Sequence, residues 1–220
     1  MKIDKSEVLR YLGYKNQEIS KDLDEKIDYL IENAVKNIKP KCVWGIFEIQ
    51  FSDKVILKGT ALEFEGKDIL NHLLGAKKAA VLAVTLGIEA EREILRHQQT
   101  DMVSAVVSDA VFDAFIEAAA DKAEAEIKEL AEKEGLFLNF RYSPGYGDFS
   151  LGVQKGIISV LNCTKTIGLT VTESDILLPR KSITAVIGLF EEQKEVKALS
   201  CEICNMRDKC TKKRGCNKNA

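Results

Sequence analysis

The sequence lacks several features that would indicate a membrane protein, a secreted protein or a nucleic-acid-binding protein. No run approaches the roughly 20 consecutive apolar residues that a membrane-spanning helix requires. The first residues, MKIDKSEVLRYLG, contain neither the apolar core nor the small-residue cleavage site of a signal peptide. The net charge is −2, so there is no excess of positive charge for binding nucleic acid non-specifically. We therefore expect a cytoplasmic protein that binds neither membranes nor nucleic acid.

Common catalytic motifs are missing as well. The chain has no glycine-rich phosphate loop, no Walker motif and no Gly-x-Ser-x-Gly nucleophile elbow. Its two histidines, His72 and His97, are too far apart in sequence to form an obvious pair of metal ligands. Function must therefore be sought in other residues.

The length of 220 residues is enough for one large domain, or for one domain followed by a tail. The content of 45% hydrophobic and 30% charged residues is typical of a globular protein. A chain of this length buries most of its apolar surface without disulfides or a metal. We predict a folded domain at residues 1–199 and a tail rich in lysine, arginine and asparagine at residues 200–220.

The six cysteines fall into two groups. Cys42 and Cys163 stand alone in apolar surroundings, which is typical of buried thiols in a reducing compartment. The other four lie within 16 residues near the C-terminus, at Cys201, Cys204, Cys210 and Cys216. Four thiolates can bind zinc or hold an iron–sulfur cluster, although this spacing matches no standard ferredoxin pattern. The alternative is a tail whose cysteines are free, and spacing alone does not choose the metal.

Hydrophobic periodicity predicts both helices and strands. The longest helical pattern runs from about residue 101 to residue 134. Alternation predicts a strand at 42–51, and a continuous apolar run predicts a buried strand at 79–86. Two more strands are predicted at 170–178 and 182–190. Strands and helices do not alternate strictly, so we expect an α+β fold with an antiparallel sheet flanked by helices, one of them long.

The segment from Arg141 to Asp148, Arg-Tyr-Ser-Pro-Gly-Tyr-Gly-Asp, is the most informative for function. Arginine offers a planar fork that matches a carboxylate. Pro144 and Gly145 allow the backbone to approach a ligand closely, and Tyr146 offers a stacking face and a hydroxyl. Together these residues suit a small anionic, partly aromatic ligand. The alternative is an ordinary strand-to-helix loop with an exposed arginine.

This segment resembles the Arg-x-x-Pro-Gly-Tyr signature of the activation domain of cobalamin-dependent methionine synthase. Residues 169–174, Leu-Thr-Val-Thr-Glu-Ser, followed by Pro179, resemble that family's Leu-Thr-Glu-Ser…Pro segment. Residues 108–117 are similar to part of its long helix. The resemblance covers roughly residues 100–190, and the first two blocks are its most specific part.

The resemblance implies the fold of that domain and a binding site for S-adenosylmethionine. It implies that Arg141 holds the methionyl carboxylate of the ligand and that Tyr146 lines the site near the corrinoid. Pro144 and Gly145 would form the ligand-facing turn between them.

Two glutamates are further candidates. The resemblance implies that Glu117 contacts the ligand's amino group, and the alternative is a solvated acid on an acidic helix face. Glu173 would either serve the site or have a structural role at a strand edge.

The resemblance also implies partners. In that family the domain docks over a cobalamin domain whose cofactor has become oxidised. An electron from a flavodoxin-like donor and a methyl group from S-adenosylmethionine then regenerate methylcobalamin. The sequence contains no folate, homocysteine or cobalamin module, so we expect an accessory component that acts in trans. Its partner would be a cobalamin-binding methionine synthase or another corrinoid protein.

Three other functions stay open. An iron–sulfur cluster in the cysteine-rich tail would indicate an electron-transfer protein for another corrinoid methyltransferase. Zinc in the same tail would indicate a docking module without redox chemistry. The third is a relative that has kept the fold but lost the ligand. Residues 183–188 favour such a loss of ligand binding, because they contain no aromatic ring where the family has one that frames the adenosyl group.

Overall fold

The computed structural model describes residues 1–15 and 17–193. The predicted tail at 200–220, with Cys201, Cys204, Cys210 and Cys216, lies outside the described residues. The zinc or iron–sulfur site therefore stays a prediction. Among the helices of the described ranges, none is both long enough and apolar enough to cross a membrane.

One antiparallel sheet of six strands organises the described chain. The strands are β1 (Lys41–Phe51), β2 (Val55–Leu57), β3 (Glu63–Phe64), β4 (Lys78–Thr85), β5 (Phe137–Leu138) and β8 (Ser182–Phe190). They lie in the order β3-β2-β1-β4-β8-β5. In the centre, Gly45 of β1 lies opposite Val81 of β4, which in turn lies opposite Val186 of β8. The predicted antiparallel sheet is confirmed.

The central strand β4 is buried on both faces. Its side chains alternate between two hydrophobic cores, with Ala80, Leu82 and Val84 in the first and Ala79, Val81 and Ala83 in the second. Because both faces are covered, the strand has a continuous apolar sequence instead of an alternating one.

Helices cover the first face of the sheet, which we call the helix face. They are α1 (Lys5–Tyr11), α2 (Lys21–Asn37), α4 (Ile88–Thr100) and α5 (Met102–Lys133). Asp101 caps α5, because its carboxylate accepts from the N–H groups of Val103 and Ser104. Small residues such as Ala110 and Ala120 line the buried side of α5 and allow it to lie close to the sheet. The predicted long helix is confirmed, at 32 residues.

Shorter elements cover the second face, which we call the loop face. They are α3 (Lys67–Leu73), the 3-10 helix Leu151–Val153, α6 (Gln154–Val160), α7 (Cys163–Thr166), β6 (Thr170–Val171) and β7 (Leu177–Leu178). The single strand predicted at 170–178 is wrong, because β6 and β7 form a separate two-stranded hairpin. Between them the Thr172 N–H donates to the Ile176 carbonyl at 2.8 Å, and Asp175 adopts a φ of 62°.

Candidate ligand-binding site

Arg141 lies at the edge of the sheet, just after β5. The next residue, Tyr142, pairs with Val186 of β8 through two backbone hydrogen bonds of 2.9 Å. Successive side chains of extended backbone point to opposite faces. Accordingly, Arg141 contacts α5 on the helix face, whereas Tyr142 belongs to the core of the loop face.

Three carboxylates of α5 surround the Arg141 guanidinium. Nη1 donates to Glu124 at 2.8 Å, and Nη2 donates to Asp121 at 2.7 Å and to Glu117 at 3.2 Å. The spacing of i, i+4 and i+7 places these three acids on one side of the helix. The side chain of Arg141 is only 16% exposed, whereas that of Asp121 is 70% exposed.

The Nη2 atom of Arg141 limits what else can bind there. A carboxylate forms a bidentate pair with a guanidinium through two parallel N–H groups. These belong either to Nη1 and Nη2 or to Nε and Nη2. Both arrangements need Nη2, and its two N–H groups already donate to Glu117 and Asp121. A ligand carboxylate therefore binds Arg141 in this way only after one of these acids moves away.

The cluster around Arg141 has an excess of negative charge. Three carboxylates and one guanidinium leave two net negative charges. Burial raises the pKa of Glu124, and the charge of Arg141 only partly opposes that rise. The cluster therefore attracts positively charged groups.

The Pro-Gly-Tyr loop, Pro144–Gly145–Tyr146, follows Tyr142. Pro144 is buried, and Gly145 adopts a φ of 94°, a conformation that favours glycine. The Gly145 N–H donates to the Phe149 carbonyl at 2.7 Å and closes the loop. The side chain of Tyr146 lies at the surface, since this residue is 55% exposed. The loop thus exposes an aromatic ring to solvent, and hydrogen bonds within the loop hold its backbone.

Stacked aromatic rings on the loop face of the sheet pack beneath the Pro-Gly-Tyr loop. The Tyr142 ring stacks on His72 and on Phe149, with centroid distances of 5.0 and 6.0 Å. The Tyr142 hydroxyl donates to the Tyr146 carbonyl at 3.3 Å. Burial is the main reason why the pKa of Tyr142 rises to about 12. Burial also lowers the pKa of His72 to about 4, so its ring is neutral at pH 7.

Glu173 lies in the turn between β6 and β7. Its side chain is exposed, and its carbonyl accepts from Lys155 Nζ at 3.1 Å. Gln154 Nε2 also donates to the Asp175 carbonyl of this turn, again at 3.1 Å. These contacts place Glu173 beside α6. Of the expected site residues, the structure brings Glu117 and Arg141 into contact on the helix face. The Pro-Gly-Tyr loop follows Arg141 in the chain and forms hydrogen bonds with Tyr142 and Phe149.

Two residues that contact Arg141 were not among the expected site residues. Asp121 and Glu124 both contact its guanidinium, and their i+4 and i+7 spacing from Glu117 was the available signal. In the part of the chain that the structure describes, no group of three or more His, Cys, Asp or Glu side chains is arranged to hold a metal ion.

Known proteins provide an independent comparison. The sequence model of the family described as vitamin B12 dependent methionine synthase, activation domain, matches residues 67–213. No curated protein matches the sequence. Among solved structures, the crystal structure of the MetH reactivation domain bound to AdoHcy (S-adenosylhomocysteine) is similar, with a TM-score of 0.62 and 17% sequence identity. The match covers 79% of this chain and 66% of that chain, so this chain spans about two thirds of the length of that relative. This likeness confirms the predicted fold.

Proposed function

The chain belongs to the family of the activation domain of vitamin B12-dependent methionine synthase, and on that basis we propose that it binds S-adenosylmethionine and supports reductive re-methylation of a corrinoid on a partner protein. The observation that carries the proposal is the contact of Arg141 with Glu117, at 3.2 Å, on the residue that begins the segment leading to the Pro-Gly-Tyr loop. All of these residues lie within the matched range of 67–213. The related structure that binds AdoHcy supports the same class of ligand.

The charges at Arg141 fit this ligand. S-adenosylmethionine carries a carboxylate, an ammonium group and a sulfonium group. Arg141 would hold the carboxylate and Glu117 the ammonium group, in charge-assisted hydrogen bonds. The two net negative charges of the cluster would favour the two positive groups of the ligand. When bound, S-adenosylmethionine supplies an activated methyl group.

Binding would exchange one carboxylate for another at Arg141. Because Nη2 donates to both Glu117 and Asp121, the ligand carboxylate would replace one of them. Asp121 is easier to displace, since its side chain is already 70% exposed and its ion pair is therefore weak. Glu117 would then stay beside Arg141, within reach of the ammonium group.

Tyr146 would form the border between the ligand and the corrinoid, because its ring is exposed on a bonded loop. We propose that the chain acts in trans on a cobalamin-binding methionine synthase or another corrinoid protein, with a flavodoxin-like electron donor. Its residues would bind and orient the methyl donor, and they would supply no nucleophile.

Calorimetric titration with S-adenosylmethionine, and separately with S-adenosylhomocysteine, tests the ligand. We expect saturable one-to-one binding of both compounds. An absence of binding up to millimolar concentration would overturn the ligand assignment.

A reactivation assay tests the action in trans. The partner is an oxidised cobalamin-dependent methionine synthase from which the activation domain has been removed. Together with S-adenosylmethionine and a reductant, the chain should restore turnover, and Arg141→Ala should not. No recovery with a chain that binds the ligand would overturn the trans action alone.

We propose residues 200–220 as a second functional unit, separate from the domain at 1–199. Its support is the pattern of four cysteines at Cys201, Cys204, Cys210 and Cys216. An iron–sulfur cluster there would deliver an electron to a corrinoid methyltransferase, whereas zinc would indicate docking. Metal analysis of anaerobically purified protein separates these outcomes. Metal content that is unchanged in the double variant Cys201→Ser and Cys204→Ser would overturn the site.

A further inference from the structure

Two aspartates that are 80 residues apart in sequence bind each other's backbone. The Asp148 carboxylate accepts from the N–H of Lys67 at 2.7 Å and from the N–H of Asp68 at 3.0 Å. In return, Asp68 Oδ2 accepts from the Asp148 N–H at 3.2 Å. The Asp68 N–H is the main reason why the pKa of Asp148 lies below its usual range. We call these three hydrogen bonds the Asp68–Asp148 clasp.

The clasp compensates for a helix that has no cap of its own. Gly66 occupies the N-cap position of α3 and has no side chain to accept from the first N–H groups of the helix. Asp148 provides the acceptors that a serine or aspartate at the N-cap usually provides. The same carboxylate thus stabilises α3 and anchors the segment that follows Tyr146.

Two glycines allow the segments to approach so closely. A Cβ atom at Gly66 would lie 2.7 Å from Asp148 Oδ1. A Cβ atom at Gly147 would overlap the Asp68 carboxylate and would lie 2.7 Å from the Tyr142 hydroxyl. Each carboxylate therefore fills space that a side chain on the opposite segment would need.

The clasp lies within the hydrogen-bonded turn that carries Tyr146. The Tyr146 carbonyl accepts from the Phe149 N–H at 3.0 Å and from the Tyr142 hydroxyl at 3.3 Å. Asp148 lies between Gly147 and Phe149 in this turn. Its hydrogen bonds to the N–H groups of Lys67 and Asp68 therefore fix the position of the turn relative to α3. Release of Asp148 would leave the turn held by its own short-range hydrogen bonds and by the buried ring of Phe149, and the backbone on the Gly147 side of that ring would lose its anchor.

We propose that Asp68 and Asp148 are positioning residues, which hold the Pro144–Gly145–Tyr146 backbone in the form that receives the ligand. This inference rests on the proposed function, because the ligand is the S-adenosyl compound proposed above. Both carboxylates bind backbone N–H groups, so their influence on the ligand passes through the loop. A loop that is ordered before binding loses less conformational entropy when the ligand arrives.

The first test compares the removal of two helix caps. Ser20 caps α2, where its hydroxyl accepts from the Leu23 N–H at 3.4 Å, and Ser20→Ala is therefore the matched control. We expect Asp148→Ala to weaken the binding of S-adenosylhomocysteine about fivefold or more, because a displaced binding loop misplaces its contacts. Ser20→Ala should change binding by less than about twofold, since it lies outside the site. Equal effects of the two variants would overturn the proposal.

Asp68 allows a test by conservative rescue. Asparagine at this position keeps a side-chain oxygen that can accept from the Asp148 N–H, whereas alanine does not. We expect Asp68→Asn to bind S-adenosylhomocysteine almost as the unaltered protein does, and Asp68→Ala to bind as weakly as Asp148→Ala. Equal binding by Asp68→Asn and Asp68→Ala would contradict the role given to this carboxylate.

A spectroscopic signal at Tyr146 separates positioning from stability. In protein labelled with 3-fluorotyrosine, the ¹⁹F resonance of Tyr146 is assigned by its loss in Tyr146→Phe. At a temperature where all variants are folded, Asp148→Ala should shift and broaden this resonance and leave that of Tyr29, on α2, unchanged. An unaltered Tyr146 resonance in folded Asp148→Ala would overturn the proposal. If Asp148→Ala does not fold, Asp148→Asn, which keeps one acceptor oxygen, replaces it.

The failure of this inference is distinct from the failure of the proposed function. If the unaltered protein does not bind S-adenosylhomocysteine, the proposed function fails, and the Tyr146 resonance still tests the clasp. If the unaltered protein binds and Asp148→Ala binds equally well with an unchanged resonance, the clasp is not a positioning device and the proposed function stands.

Discussion

Arg141 and Tyr142 are neighbours in the chain, yet their side chains lie in opposite environments. On the helix face, Arg141 pairs with carboxylates at the edge of the solvent, where each ion pair contributes about 0–1 kcal/mol. On the loop face, Tyr142 is 5% exposed and stacks on two rings. Under the proposed function, the first set of contacts would be exchanged for a ligand at little cost. The second cannot be released without exposing apolar rings to water.

The largest effect that we expect lies on the loop face, at His72. Burial lowers the pKa of this side chain from 6.5 to about 4. Between these values the unfolded chain binds a proton at His72 that the folded chain does not. The contribution of His72 to stability is therefore complete above pH 6.5 and is lost as the pH decreases toward 4. One pKa unit corresponds to ~1.4 kcal/mol, so the loss amounts to about 3 kcal/mol. Urea denaturation at a series of pH values measures it.

The second histidine provides the control. His97 binds the Ser108 hydroxyl at 2.8 Å, between α4 and α5. His97→Gln should keep the loss of stability at acidic pH, and His72→Phe should remove most of it. An unchanged pH profile in His72→Phe would show that the loop face is not its source.

The next effect concerns ligand binding on the helix face. Arg141→Ala should weaken the binding of S-adenosylmethionine by about tenfold or more, because the ligand carboxylate would lose its cationic partner and would lie beside three like charges. Lys181 is the matched cation, since it pairs with Asp109 at 2.8 Å and with Asp113 at 2.7 Å on the same helix. Calorimetry on Lys181→Ala should give an affinity within about twofold of the unaltered protein. Equal losses would mean that the overall charge near α5, and not the contact with Arg141, governs binding.

A smaller effect tests the fixed character of the loop face. Tyr142→Phe keeps the ring stack but removes the hydroxyl that donates to the Tyr146 carbonyl. We expect the free energy of unfolding to fall by about 1 kcal/mol. Tyr29 is 66% exposed, so Tyr29→Phe should have almost no effect in the same urea titration. Indistinguishable midpoints for the two variants would show that the hydroxyl adds nothing.

The smallest effect tests the exchangeable character of the helix face. Asp121→Asn removes a charged competitor for Nη2 of Arg141, so S-adenosylhomocysteine should bind about two- to threefold more tightly. Glu117→Gln should instead weaken binding, since the contact proposed for the ammonium group is lost. Weaker binding by Asp121→Asn would show that Asp121 holds Arg141 in place and does not compete with the ligand.

The elements that sequence predicts well are those with long, regular patterns. β4 is a continuous apolar run, and α5 repeats its apolar positions over 32 residues, so both appear close to their predicted bounds. Alternation predicts one strand where the structure has the hairpin of β6 and β7. The chain reverses its direction there through two local features of the backbone. Thr172 closes a turn onto Ile176, and Asp175 adopts a positive φ, which alternation of polar and apolar residues does not reveal.

The site divides in the same way. Arg141 and Tyr146 belong to one contiguous motif, and Glu117 was implied by the resemblance. Asp121 could have been inferred from helical spacing alone. The clasp between Asp68 and Asp148 could not, since it depends on a tertiary contact for which neither segment carries a local signal.

The sequence separation between Asp68 and Asp148 determines which fragments of the chain keep the clasp. Arg141 lies within 24 residues of each of its acidic partners, so a fragment of residues 100–190 would retain that whole cluster. The fragment would lose Asp68, and it would also lose β4, which pairs with β8 along eight residues. The residues of the charged cluster are therefore close together in sequence, although the strands that position Arg141 are not. The Pro144–Gly145–Tyr146 loop depends on the distant Asp68, so a piece that keeps the clasp must begin upstream of Gly66.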